Sequence, residues 1–210
     1  MQLIGMLDSP YVRRVAVSLR LLELPFEHRA LSVFRTFEQF SAINPVVKAP
    51  TLVCDDGTVL MDSTLILDYA EALAAPRSLM PRNLPERTDA LRTVGLALAA
   101  CEKSVQLVYE RELRPAEKRH EPWVARVTGQ LTAAYRELEA DFAGRAQVME
   151  QERLGAAEVA TAVAWHFTQC MLPGTVPESD YPGLRLFSAH AEQLPAFTAA
   201  PHGDGTAQPT

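Results

Sequence analysis

The chain is poor in cysteine, lacks any long apolar run and has no block of charge of one sign. Its three cysteines, Cys54, Cys101 and Cys170, lie far apart and form neither a C-x-x-C pair nor a zinc-ligand spacing. The pattern predicts no metal site and is typical of a protein of the reducing cytoplasm. No segment has the roughly 18 uninterrupted apolar residues of a membrane-spanning helix, so we expect no membrane partner.

The charge balance is mildly acidic. Lysine plus arginine number 20 against 26 aspartate plus glutamate, a formal charge of −6. Because a nucleic-acid footprint needs a basic face, we expect no nucleic-acid partner. A local basic cluster around Arg111, Arg114, Lys118 and Arg119 is interpreted as a solvated helix surface. The amino end has no basic leader before an apolar core, so the sequence predicts no signal peptide.

Hydrophobic periodicity divides the chain into an α/β half and a helical half. The first half reads strand, helix, strand, helix, then a hairpin and a further helix, which is the thioredoxin-like order βαβ-α-ββα. Prolines at 76, 81 and 85 indicate a linker, and only helical patterns follow it. We predict a thioredoxin-like domain over residues 1–76, a linker over 77–85, a helical bundle domain over 86–199 and a disordered tail over 200–210.

The predicted elements can be placed residue by residue. Strands are expected at Gln2–Gly5, Phe26–Leu31, Thr51–Val53 and Val59–Met61. Helices are expected after Ser9-Pro10, over Phe37–Ile43, after Asp62-Ser63, and in the second half over 86–114, 122–142, 155–170 and 181–192. The third of these long helices, 155–170, is apolar almost all round, which predicts a central place in the bundle.

One stretch carries most of the functional information. Asn44-Pro45 and Lys48-Ala49-Pro50 precede the hairpin, Gly57 lies in its turn, and Asp62-Ser63 stands at the N-cap of the next helix. In this order and spacing the motif resembles that of the glutathione transferases, and the resemblance extends over almost the whole chain. A glycine is common in that family where Val47 stands, so the loop before Pro50 departs from the family pattern.

The resemblance implies that Ser9 is the catalytic residue. Ser9-Pro10-Tyr11 resembles the catalytic turn of serine-type glutathione transferases. A hydroxyl donating to a sulfur, together with a helix N-terminus, favours the thiolate over the thiol. With serine rather than cysteine at this position, no protein thiol is there to form a mixed disulfide. The alternative is that Ser9 only caps its helix, and the neighbouring Asp8 would oppose the thiolate if its charge faced it.

The same resemblance implies the glutathione-binding residues. The Ala49-Pro50 bond is expected to be cis, so that the backbone of Ala49 pairs with the cysteinyl part of the tripeptide. Asp62 and Ser63 are expected to hold the γ-glutamyl end, and Lys48 the glycine carboxylate. Helix initiation is the simpler role for Asp62-Ser63, and a solvated side chain for Lys48.

The remaining expectations concern the electrophile and the partners. A pocket for a hydrophobic electrophile is expected to be lined by the residues Leu7, Tyr11, Val12, Tyr109 and Leu113. Glutathione is the expected co-substrate, with no metal, and the family implies a homodimer. We assign no chemistry to His28 or His166, which show no metal-ligand spacing.

The sequence therefore predicts a cytoplasmic glutathione transferase that adds glutathione to an electrophile, as in detoxification. Two alternatives stay open. One is a non-catalytic interaction protein like the stringent starvation proteins, which share the fold. The other is a glutathione-dependent peroxidase or dehalogenase, which would use the same thiolate. Fold alone does not choose among these.

Overall fold

The computed structural model describes residues 1–143 and 154–208. These residues form two compact units. The first contains residues 1–80, 154–155 and 193–208, and the second contains residues 81–143 and 156–192. No described helix combines the length and the apolarity needed to cross a bilayer.

The first unit has the predicted thioredoxin-like order. Its elements are β1 (Gln2–Ile4), α1 (Pro10–Leu21), β2 (Glu27–Arg29), α2 (Phe37–Ser41), β3 (Thr51–Val53), β4 (Val59–Met61), α3 (Ser63–Ala74) and, near the carboxyl end, α8 (Pro195–Thr198). The sheet order is β2-β1-β3-β4. Strand β1 is parallel to β2 and antiparallel to β3, which pairs antiparallel with β4. The mixed sheet confirms the predicted fold.

The core of this unit follows from the strand alternation. Leu3 on β1 lies opposite Leu52 on β3, and both side chains are fully buried. Burying two leucines in this way contributes about 1.5–3 kcal/mol each. Helices α1 and α3 contact each other, so the starts of these two helices are held in one unit with the sheet.

The second unit is helical, as predicted. Its elements are α4 (Leu84–Glu112), a 3₁₀ turn (Ala116–Lys118), α5 (Glu121–Phe142), α6 (Ala156–Met171), a second 3₁₀ turn (Glu178–Asp180) and α7 (Pro182–Ala191). Helix α6 is buried over most of its surface, as its apolar sequence predicted. Inside the unit, the Tyr135 hydroxyl donates to the carbonyl of Ala164 at 2.8 Å and lies 2.6 Å from Thr168 Oγ1.

Element boundaries differ from the predictions by a few residues. Both hairpin strands have the predicted bounds. Helix α4 begins at Leu84, inside the predicted linker, because Asn83 caps it by accepting a hydrogen bond from the Glu86 N–H at 3.0 Å. The short helix α8 was not predicted. The boundaries drawn at residues 76, 85 and 199 stay predictions.

The tail differs from its prediction. Residues 200–208 make defined contacts with the first unit, whereas the sequence predicted disorder from residue 200. Asp204 pairs with Arg35 at 2.9 Å, and the Ala207 N–H donates to His28 Nδ1 at 2.9 Å. The physical reason is that single side chains of the first unit supply the partners, which the polar and Gly/Pro-rich composition of the tail does not reveal. Residues 209–210 lie outside the described part.

Candidate functional site

Ser9 is the N-cap residue of α1, and Pro10 occupies the first turn. Ser9 Oγ accepts a hydrogen bond from the Val12 N–H at 3.4 Å, which is longer than the usual distance of about 2.7–3.2 Å. Capping uses a lone pair of the oxygen, so the hydroxyl proton remains available for donation. The side chain is half-buried. The cap role and a donor role are therefore compatible at this residue.

The loop before α1 approaches the segment that carries the cis proline. Gly5 has φ +140°, and a Cβ at this position would lie 2.6 Å from Val12 Cγ2 and 3.3 Å from Ala49 Cβ. Only glycine adopts this backbone conformation without strain and tolerates so close a neighbour. The start of α1 and Ala49 are thus next to each other in the first unit.

The Ala49-Pro50 bond is cis, as predicted. The preceding loop is held by Asn44, whose Nδ2 donates to Thr51 Oγ1 at 2.8 Å, and the Thr51 hydroxyl donates to the Lys48 carbonyl at 2.7 Å. Within the described ranges, the N–H and C=O of Ala49 itself form no hydrogen bond. A half-buried residue with both backbone groups unpaired offers the edge to which an extended peptide can add.

Asp62 and Ser63 stand at the start of α3. Asp62 has φ +75° and accepts a hydrogen bond from the Thr64 N–H at 2.9 Å. For a non-glycine residue this backbone conformation costs about 1–3 kcal/mol, and such strain concentrates at functional sites. Ser63 is only 4% exposed, and its backbone N–H has no partner in the part of the chain that the structure describes. The first turn of α3 therefore presents an open donor.

One residue that was not predicted from the sequence lies behind the start of α3. Arg14, on α1, is only 4% exposed. Its Nη1 donates to Ser63 Oγ at 3.1 Å and to Thr64 Oγ1 at 3.2 Å. Because Ser63 Oγ accepts this bond, its own proton remains to be donated elsewhere. The available signal was a charged residue between Val12 and Val15 on the apolar face of α1, but its partners lie about fifty positions along the chain.

Lys48 and Asp62, predicted to bind opposite ends of the tripeptide, face each other. Lys48 Nζ lies 3.6 Å from an Asp62 carboxylate oxygen, and both side chains are about half exposed (49% and 46%). A pair this exposed contributes only about 0–1 kcal/mol. This contact links the segment of Ala49 and Lys48 to the start of α3. The Arg14 hydrogen bond to Ser63 links the start of α3 to α1.

Next to Ser9, the carboxyl of Asp8 is electrostatically perturbed. Burial raises its pKa, and the negative charge of Asp204 raises it further, while His202 and Arg35 act in the opposite direction. A carboxyl with a raised pKa carries its charge less readily.

The predicted electrophile residues divide into two groups. Leu7 and Val12 have no exposed surface, so they are core residues in this structure rather than lining residues. Tyr11 is half-buried in the first unit. Tyr109 and Leu113 are 46% and 57% exposed and line a cavity of about 510 Å³ in the second unit. The other lining residues were not predicted and include polar and charged side chains: Gln106, Glu110, Arg114, Pro115, Lys118 and Trp123.

Comparison with known proteins agrees with this geometry. Residues 3–78 match the family model described as the glutathione S-transferase N-terminal domain. The GST-like protein YibF of Escherichia coli K12, itself uncharacterized, is 24% identical over 174 residues, covering 83% of this chain and 86% of YibF. Glutathione S-transferase U4 of Arabidopsis thaliana is 28% identical over 90 residues, which is 43% of this chain and 40% of that protein.

A solved structure extends the similarity to the full length. A glutathione transferase family member from Pseudomonas fluorescens Pf-5, crystallised with bound glutathione, superposes with a TM-score of 0.80 at 28% identity, covering 100% of this chain and 98% of the other. The matched amino-terminal model and the full-length similarity agree with the observed order of strands and helices. The chain accordingly carries a glutathione S-transferase N-terminal domain over residues 3–78 and is similar to a glutathione transferase family member over its full length.

Proposed function

We propose that the protein binds glutathione and adds its thiolate to a hydrophobic electrophile. The observation that carries the proposal is the Ser9 hydroxyl, which keeps its proton for donation at the N-terminus of α1. A free cysteine thiol has a pKa near 8.5, so little of it is ionised at neutral pH. The donor must therefore favour the anion before transfer becomes fast.

The required stabilisation is within reach of these groups. Lowering a thiol pKa by two units needs about 2.7 kcal/mol. A hydrogen bond to a charged acceptor supplies about 1.5–3 kcal/mol, and a helix N-terminus about 0.3–1 kcal/mol. Together these two contributions cover the required free energy. The thiolate then forms the new carbon–sulfur bond with the electrophile.

The remaining residues would bind the tripeptide. The N–H and C=O of Ala49, which form no hydrogen bond in the described part of the chain, align the cysteinyl backbone beside the cis Pro50. The γ-glutamyl carboxylate accepts hydrogen bonds from the Ser63 N–H and hydroxyl, and Asp62 binds its ammonium group. Lys48 exchanges its weak pairing with Asp62 for the glycine carboxylate.

The first experiment is calorimetric titration with glutathione. Binding supports the proposal, and an absence of heat and of thermal stabilisation at millimolar ligand would favour the interaction-protein alternative. Ser63→Ala should weaken binding by about ten- to hundredfold, because it removes a hydrogen bond to a charged group. Thr64→Ala removes the other hydroxyl bonded to Arg14 and is the matched control. It should leave affinity within a few fold.

The second experiment separates catalysis from binding. Ser9→Ala should raise the pKa of the bound thiol by about one to two units, since the lost donor acted on a charged acceptor. The affinity should stay within a few fold, and the helix should lose at most about 1 kcal/mol of capping. The thiolate absorbance and the rate–pH profile of conjugation report the shift. Ser41→Ala, which removes a serine hydroxyl bonded to the Glu38 carbonyl in α2, serves as the control. An unchanged rate–pH profile in Ser9→Ala would remove the Ser9 hydroxyl from the mechanism.

A further inference from the structure

We infer that Cys170 is a nucleophilic thiol that exchanges with low-molecular-weight disulfides, and that His166 and Glu192 form a proton-accepting pair behind it. This assignment concerns the helical unit and does not depend on glutathione binding in the first unit. Cys170 is exposed, while Cys54 and Cys101 are buried. An external disulfide therefore meets one cysteine of this chain.

Helix α6 brings the first two groups together. His166 and Cys170 are four residues apart, which places them on one face of the helix. Cys170 Sγ lies 3.4 Å from His166 Nε2, within hydrogen-bond reach for sulfur. His166 has no metal-ligand spacing in the sequence, and its four-residue spacing to Cys170 is the signal from which this pair could have been predicted.

A carboxylate lies on the other side of the imidazole. Glu192 follows α7 as its C-cap residue, and its Oε1 is 3.5 Å from His166 Nδ1. The two side chains are 30% and 18% exposed, so their interaction is less screened than that of a surface pair. A carboxylate beside Nδ1 favours the tautomer with its proton there, leaving the Nε2 lone pair towards Cys170. The order of groups is nucleophile, base and orienting acid.

One local effect opposes the thiolate. Cys170 lies in the last turn of α6, and the negative end of a helix dipole disfavours an anion there. At exposed sites that effect amounts to less than about one pKa unit. A neighbouring imidazolium is the stronger influence, because cysteines beside such cations have pKa values of about 3.5–7.5 against 8.5 for the free thiol. The same dipole and Glu192 both stabilise the imidazolium.

The exchange step balances without a further reactant. His166 accepts the Cys170 proton, and the thiolate attacks one sulfur of the disulfide. A Cys170–sulfur bond forms, the original sulfur–sulfur bond breaks, and the departing thiolate takes up a proton from the imidazolium or from water. Cys170 is oxidised and half of the small disulfide is reduced to a thiol. Because the other two cysteines are buried, the product is a mixed disulfide that a free thiol reverses.

The size of the effect follows from thiolate fraction and nucleophilicity. Each unit by which the imidazolium lowers the pKa of a thiol raises its ionised fraction at neutral pH up to about tenfold. The more acidic thiolate is about threefold less nucleophilic per unit, at a Brønsted coefficient of about 0.4–0.5. The net acceleration is about threefold per unit over an unassisted cysteine, whereas the thiolate absorbance changes by close to the full tenfold.

The test uses the full chain with glutathione disulfide as the probe and intact-mass and peptide analysis as readouts. We expect one glutathionyl adduct on Cys170, none in Cys170→Ser, and reversal by added thiol. His166→Gln should slow adduct formation about threefold and abolish the thiolate absorbance at neutral pH that distinguishes wild type from Cys170→Ser. His120→Gln, which removes an exposed imidazole at the start of α5, is the matched control and should change neither.

Three results would overturn the inference. They are labelling spread over several cysteines, thiolate absorbance absent in wild type, and a His166→Gln variant with unchanged absorbance and rate. Glu192→Gln tests the orienting acid alone: a reduced thiolate absorbance is expected, and an unchanged value removes Glu192 from the arrangement. Circular dichroism of each variant separates these results from loss of fold.

Discussion

Val47 has φ +52° in the loop that leads to the cis proline. This is the left-handed region, which a β-branched residue rarely occupies. The conformation is fixed by Asn44, whose carbonyl accepts a hydrogen bond from the Val47 N–H at 2.9 Å and whose Oδ1 accepts one from the Val46 N–H at 3.0 Å. The neighbouring Val46 is 63% exposed and has no positive φ. Two adjacent valines thus differ in backbone conformation.

The stability difference between a glycine and an alanine variant should therefore have opposite signs at positions 47 and 46. A left-handed residue with a Cβ costs about 1–2 kcal/mol relative to a right-handed one, and glycine avoids that cost. Glycine also makes the unfolded chain more flexible than alanine does, which costs about 0.4–1 kcal/mol. Val47→Gly should therefore be more stable than Val47→Ala by about 0.5–1 kcal/mol. Both variants lose the valine methyl groups, so that loss largely cancels.

Position 46 supplies the control. There no left-handed strain exists, and Val46→Gly should be less stable than Val46→Ala by about 0.4–1 kcal/mol. Urea unfolding of the four variants measures the free energies, and equal m-values would show that the unfolded states are comparable. If glycine is the less stable residue at both positions, the account of Val47 as a strained residue is refuted.

Three further predictions test other parts of the molecule. Tyr135→Phe should destabilise the helical unit by about 0.5–1.5 kcal/mol in urea unfolding, because it removes the buried hydrogen bonds of the Tyr135 hydroxyl while Thr168 keeps Ser104 and the Ala164 carbonyl as partners. Asp8→Asn should stabilise the protein at neutral pH but not below about pH 3.8, because a folded pKa raised by burial and Asp204 makes stability fall as pH rises above the unfolded value. Burial lowers the pKa of His28 below its unfolded value of 6.5, so the unfolded state binds the proton more readily and wild-type stability should fall as pH drops below 6.5. Thermal unfolding measured at several pH values should show that His28→Gln loses this dependence.

The fold was predictable because its signals are local. The turn around Gly57 and the apolar residues on either side of it defined both hairpin strands to the residue. An N-cap acid followed by apolar periodicity placed the start of α3, and an all-round apolar helix placed α6 in the helical core. Each of these patterns depends on residues within about ten positions of one another, where propensity and periodicity are informative.

The parts that were missed depend on partners distant in sequence. Arg14 interrupts an apolar face, and only the fold reveals that Ser63 and Thr64 receive its hydrogen bonds. The contacts of the tail require His28 and Arg35, more than 160 positions away. The composition of a segment describes that segment alone, so it does not reveal hydrogen-bond partners that another part of the chain supplies.

The missed arginine also bears on what the proposed glutathione site would select. Arg14 and the open Ser63 N–H favour a negative group at the start of α3, while the adjacent Asp62 carboxylate favours a positive one. Opposite preferences on neighbouring residues match the α-carboxylate and α-ammonium of a zwitterionic γ-glutamyl end better than a simple anion. Arg14→Met would keep Ser63 and its backbone N–H unchanged but would remove the buried positive charge of the guanidinium group. We therefore expect Arg14→Met to lower the affinity for glutathione more than it lowers the affinity for a glutathione analogue that lacks the γ-glutamyl carboxylate. Equal losses of affinity for both ligands would show that Arg14 only supports the fold.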